Sequence, residues 1–112
     1  MKGYKHEVIM CIVNSGFSET VMSCARECGA KGGTIISGRG TAKDEVESAF
    51  NISIHPEKEI VMIIVNKAIK EAVLHSLYKN VGLDSPGQGI AFTVPVDDVV
   101  GINSQDKNKE TK

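Results

Sequence analysis

Two stretches of the chain are apolar at every position. Residues 8–13 (VIMCIV) and 60–65 (IVMIIV) show no polar alternation, are rich in branched side chains, and are too short for ordinary helices. Such runs read as strands with apolar surroundings on both faces. Two further stretches repeat at helical spacing: Phe17, Val21, Cys24 or Ala25, and Cys28; then Ile69, Val73, Leu77 and Val81. Ser18 is placed to cap the first helix, with Phe17 before it able to pack on Met22, and Gly29 is a stop. Asn66 is placed to cap the second helix, which Gly82 ends. Residues 33–37 (GTIIS) form a shorter strand and residues 90–96 (IAFTVPV) a last one. Pro95 has no N–H to give a neighbour, so that last strand belongs at a sheet edge.

Between the second and third strands, Thr41 and Asp44 have capping-box spacing, which predicts a short helix over residues 42–49. The element order is therefore strand, helix, strand, strand, helix, strand. That is an α+β, ferredoxin-like βαββαβ sandwich: a four-stranded antiparallel sheet with two helices on one face. Its first and third strands are central, and here they are the two all-apolar ones. Residues 1–103 form a single domain on this reading, and the polar tail 104–112 (SQDKNKETK) is expected to be disordered.

Two helices shield one face of such a sheet. An uncovered second face would exceed the few hundred Å² of contiguous apolar surface that soluble monomers usually tolerate. Loops folding over it would be one remedy. Sister copies are the better one, since each buried apolar side chain contributes at ~25 cal/mol per Å², and a closed cyclic assembly satisfies every subunit alike.

Composition narrows the function. The chain has 112 residues, 41% of them hydrophobic and 24% charged, a net charge of −1 and no Trp. No field of either sign is present to hold nucleic acid or an anionic membrane, and there is no base-stacking platform. No apolar run approaches the ~20 residues of a membrane helix, and the start of the chain lacks a cleavage pattern. Three cysteines make no disulfide framework, so a reduced, cytoplasmic protein is expected.

Chemistry-bearing residues are few. Arg39 follows Gly38 at the end of the second strand, Gly40 and Thr41 come next, and Lys58 stands near the start of the third. Gly87-Gln88-Gly89 leads into the last strand, where glycines let backbone N–H groups approach an anion; a tight turn feeding an edge strand explains the same residues. Cys24 and Cys28 share a helix face and, with Cys11 or a histidine, suggest a soft-metal trimer as one alternative. Both lie on the apolar stripe, which favours core packing. His6, His55 and His75 share no ligand spacing. An acylphosphatase-like enzyme is the other alternative, recruiting Arg39 with Asn51 or Asn66, but neither asparagine stands in the loop motif that chemistry needs. No Ser-His-Asp or Cys-His pairing is legible. No catalytic residue and no metal ligand is assigned.

Gly87-Gln88-Gly89, Phe92 and Pro95-Val96 together resemble the signature of the PII nitrogen-regulatory signal proteins. Gly38-Arg39 matches the point where that family's long effector loop departs. The element order agrees from about residue 5 to residue 102. The resemblance implies a homotrimer with sheets facing inward. It also implies an adenine nucleotide or other small anionic effector in clefts between subunits, and a target protein such as a transporter or an enzyme of nitrogen metabolism. By the resemblance, Gly87, Gln88 and Gly89 form a phosphate-approaching loop; this chain's own residues add Gly38, Arg39, Gly40, Thr41 and Lys58 as candidate ligand contacts. The effector loop corresponds to 39–57, the partner-binding loop of this reading. Within it Phe50 and Ile52, apolar in a polar stretch, and His55 are candidate partner contacts, with packing of the loop onto its own domain the alternative use of Phe50 and Ile52. The effector is not a resident cofactor, and the implied role is regulatory rather than enzymatic.

Three departures stand out. Ile90 replaces the family's basic residue after the second glycine, DDVVGIN (97–103) replaces its arginine pair, and the shortened loop has no tyrosine to modify. Two or three missing charge-assisted hydrogen bonds weaken a triphosphate by roughly 3–9 kcal/mol. The pattern therefore favours a ligand of lower charge, such as a monophosphate or cyclic nucleotide. Ser48 and Ser53 remain as candidate phosphorylation sites in place of the tyrosine.

Overall fold

The computed structural model describes residues 5–41 and 56–101. The predicted helix over 42–49, the loop residues Phe50, Ile52 and His55, the serines 48 and 53, and the tail from 104 lie outside them. The elements are β1 (His6–Asn14), α1 (Ser18–Glu27), β2 (Thr34–Arg39), β3 (Glu57–Asn66), α2 (Lys70–Val81) and β4 (Ile90–Val96). The sheet order is β2-β3-β1-β4 with every neighbouring pair antiparallel. The two all-apolar strands are central, and the Pro95 strand is an edge, as their patterns require.

Both helices lie against one face of the sheet. Ile9, Cys11 and Val13 of β1 and Val61, Ile63 and Val65 of β3 point into it. There they meet Val21, Met22, Cys24 and Ala25 of α1 and Val73, Leu77 and Val81 of α2. Phe17, Cys28, Ile69, Leu74 and Ala91 close the rim. Each helix thus buries the stripe its spacing predicts.

The helix starts differ from the sequence expectation. Phe17 occupies the N-cap position of α1 and no side chain of the local sequence caps it; Ser18 is already the first helical residue and is buried. The cap comes from across the sheet. Glu59 Oε1 accepts from Gly16 N at 3.1 Å and Ser18 N at 3.3 Å, a carboxylate set on the positive end of the helix. Asn66 does cap, accepting from Ala68 N at 2.9 Å, but what it caps is a 3-10 turn (Lys67–Ile69) that leads into α2. At the far end of β1, the buried Glu7 carboxylate is paired with Lys70 Nζ at 3.3 Å.

Among the described residues, nothing covers the other face of the sheet. Register places Val94, Val8 and Ile64 in one row across it; Phe92, Met10, Met62 and Thr34 in the next; and Ile90, Ile12, Ile60 and Ile36 in a third. Ile63 is fully buried, whereas its neighbour Ile64 is 43% exposed and Phe92 46%. Among the described residues no helix or loop lies over these rows.

Candidate functional site

Antiparallel topology brings four strand ends together. β1 and β2 finish, and β3 and β4 begin, at the same end of the sheet. A fourth row of the open face therefore reads Gly38, Lys58, Asn14, and here the apolar rows give way to polar groups.

Asn14 is the hub. It is 4% exposed, at the end of an otherwise apolar strand. Its Oδ1 accepts from Lys58 Nζ at 2.7 Å. Its Nδ2 donates to the Pro86 carbonyl at 2.9 Å and to Gln88 Oε1 at 3.3 Å. Its backbone N–H donates to the Gly87 carbonyl at 2.9 Å, and its carbonyl accepts from Phe17 N at 3.2 Å. A buried amide is tolerated only when satisfied in this way.

The Gly-x-Gly turn is held from two sides. Gln88 N donates to the Ser85 carbonyl at 2.9 Å, and Gly89 N to the Val81 carbonyl at 2.6 Å. A Cβ on residue 89 would collide with that same Val81 oxygen, so only glycine fits between β4 and the end of α2. Gly87 is buried against Phe17 and Val81. Gln88 has φ 49°, a left-handed conformation unusual outside glycine. Of the N–H groups expected to face an anion, those of Gln88 and Gly89 are thus committed within the chain, and packing on α2 accounts for the second glycine.

Arg39 ends β2, exposed and opposite Glu57 of β3. Just beyond them the chain is fastened: Gly40 N donates to the Pro56 carbonyl at 2.6 Å. Gly40 also packs on the Lys58 stem so closely that a Cβ there would lie 2.8 Å from Lys58 Cε. Thr41 is exposed and is the last described residue before 56. An open cleft of about 410 Å³ lies beside the hub, lined by Asn14, Ser15, Phe17, Glu57 and Pro86.

Of the sequence-predicted residues, Gly40, Lys58, Gly87 and Gln88 are joined through Asn14; Gly38 is the register partner of Lys58, and Arg39 and Thr41 are adjacent along the chain. Asn14 itself and the capping Glu59 were not among those residues. The only sign of Asn14 in the sequence is an amide closing an apolar run just before Ser15-Gly16.

Where the resembled family is expected to carry cations, Ile90 is 55% exposed at the start of β4, and the stretch 97–103 (DDVVGIN) contributes no basic residue. For the metal alternative, Cys11 and Cys24 are buried and Cys28 half-buried, and the described residues contain no group of three potential ligands. Burial, with neighbouring Cys24 adding to it, pushes the Cys11 thiol up to about 11. A buried thiol of this kind is a core packing group. No helix among the described residues is long and apolar enough to cross a membrane.

The family model for nitrogen regulatory protein P-II matches residues 6–106. No curated protein matches the chain. Among solved structures, PII of Arabidopsis thaliana bound to citrate is 24% identical, with a TM-score of 0.68 over 89% of this chain and 82% of that one. The GlnK–ATP complex of B. subtilis is 17% identical, with a TM-score of 0.64 over 91% of each chain. A putative PII-like signaling protein of Thermus thermophilus is 18% identical, with a TM-score of 0.64 over 86% of this chain and 90% of that one. At these identities the structural likeness speaks for the fold. The match of the family model across both central strands, both helices and the Gly-x-Gly turn goes further: the chain belongs to the nitrogen regulatory protein P-II family.

Proposed function

We propose that the protein is a homotrimeric signalling protein whose subunits bury their open sheet faces against one another. It senses a small anionic effector at the polar ends of those sheets and regulates a target protein through the 39–57 loop. The observation that carries this reading is the convergence, by direct contact, of the loop base with the Gly-x-Gly turn: Gly40 on Lys58, Lys58 on Asn14, Asn14 on Gln88. Membership of the P-II family supports it, as do structural relatives seen with ATP and with citrate.

Lys58 and Arg39 supply the positive charge, and Gly38, Gly40, Thr41 and the 87–89 turn complete the surroundings. Because Ile90 and the cation-free stretch 97–103 stand where the family's basic residues are expected, the effector is an adenine nucleotide of lower charge than ATP. The mechanism is conformational and not catalytic. The effector favours one arrangement of the loop, by as much as its affinity differs between the two, and Phe50, Ile52 and His55 meet the target. A cytoplasmic transporter-regulating or enzyme-regulating role, in nitrogen metabolism by family, fits this reading.

Calorimetric titration with AMP, cyclic AMP, ATP and citrate tests it. AMP or cyclic AMP should bind more tightly than ATP. Arg39→Ala should weaken the best ligand by about 10- to 100-fold, the worth of one charge-assisted hydrogen bond, and leave folding and assembly alone. Wild-type affinity in that variant would remove Arg39 from the site. No heat with any of the four ligands at millimolar concentration would sink the effector reading.

A further inference from the structure

We propose that Asn14 is a mechanical joint that couples the base of the 39–57 loop to the Gly-x-Gly turn, so that a change at one is transmitted to the other. The inference rests on the reading that effector and loop communicate at this end of the sheet. It assigns that communication to one residue.

Three segments far apart in sequence meet on this amide, and each uses a different atom. Lys58 takes the Oδ1 lone pair, the Pro86–Gln88 turn takes both Nδ2 and the backbone N–H, and the start of α1 takes the carbonyl. The side chain is buried with all its polar groups in use, so it cannot turn to serve one segment without releasing another.

Lys58 is in turn fixed to the loop base. Its stem packs on Gly40, and Gly40 is bonded to Pro56, two residues before Lys58. A shift of the loop ends therefore moves the Lys58 ammonium and loads its 2.7 Å bond to Asn14. On the other side stands Gln88, whose φ of 49° is a sparsely populated conformation held by its neighbours. Loss of the Asn14 contact lets it leave that conformation, which alters the turn. A valine at position 14 would continue the apolar strand and pack as well, but it would connect nothing.

The test uses the unliganded full chain, so its outcome does not depend on which effector binds or whether one does. Hydrogen exchange is followed at the amides of Gln88 and Gly89, whose protons are bonded to Ser85 and Val81. Lys58→Met removes the bond at the loop base without touching the turn. Asn14→Asp keeps the pairing with Lys58 but replaces the Nδ2 donor with an acceptor. Each variant should speed exchange at Gln88 and Gly89 by about five- to tenfold, with the core amides of Ile9 and Ile63 at wild-type rates. Lys58→Arg, which keeps a donor, should retain the protection, and Arg39→Ala should not disturb it.

Exchange at the turn within twofold of wild type in Lys58→Met would overturn the joint, even if Asn14→Asp had its effect. A rise shared with Ile9 and Ile63 would also overturn it, because general loosening would then explain the result.

Discussion

The two faces of the sheet are built from the same strands and have opposite fates. Along β3, Val61, Ile63 and Val65 are buried under the helices, while Ile60, Met62 and Ile64 between them are partly open. Their chemistry is nearly the same and only the parity of the residue number differs. A strand that serves as core on one side and interface on the other needs apolar residues throughout. The periodicity that normally separates inside from outside is then lost, and under the proposed assembly that loss marks the second face as the subunit contact.

The sharpest way to break the comparison is a charge in the middle row of the open face. Met62→Asp should abolish assembly, since an unpaired charge buried in each subunit contact costs roughly 3–5 kcal/mol. Sedimentation at micromolar concentration should then show single chains with unchanged far-ultraviolet dichroism. A persisting oligomer would mean that this face is not the contact. Ile63→Ala, one residue along, should do the reverse. It leaves a cavity under the helices and should lower unfolding stability by about 2–5 kcal/mol, with the sedimentation coefficient of the folded protein unchanged.

The smallest effect concerns Cys11 on the covered face. Its folded thiol titrates at about 11 against an ordinary 9.0. Between those values the unfolded chain has released its proton and the folded chain has not, so stability is full below pH 9 and falls as pH rises toward 11. The loss is roughly 2–3 kcal/mol across that window. Urea midpoints for wild type should therefore drop between about pH 9 and 11. Cys11→Ala should start lower and lose this component of the slope. An identical slope in both would place the titrating group elsewhere.

Much of the fold could be read from the chain because its signals are local or periodic. The all-apolar runs mark the central strands, Pro95 marks an edge, and the Val73, Leu77, Val81 stripe marks the buried side of α2. The start of α1 was less legible because its cap, Glu59, is some forty positions away and arrives only when β3 pairs with β1. The site divides in the same way. Gly38, Arg39 and the Gly-x-Gly turn have short-range signatures. Asn14 has none, because its importance comes from being where three distant segments meet. Even the glycine at 89 is explained by something outside its own motif, the Val81 carbonyl.

The bond between Gly40 and Pro56 has an evolutionary consequence. It closes the ring at its neck, so the length of the segment strung between those two positions matters little to the sheet beneath. Doubling the length of such an insert adds only ~0.6 kcal/mol of closure entropy. Lineages can therefore trim, extend or rewrite that segment to suit new targets while the scaffold stays as it was. A protein engineer can treat the same neck as a socket for grafted peptides.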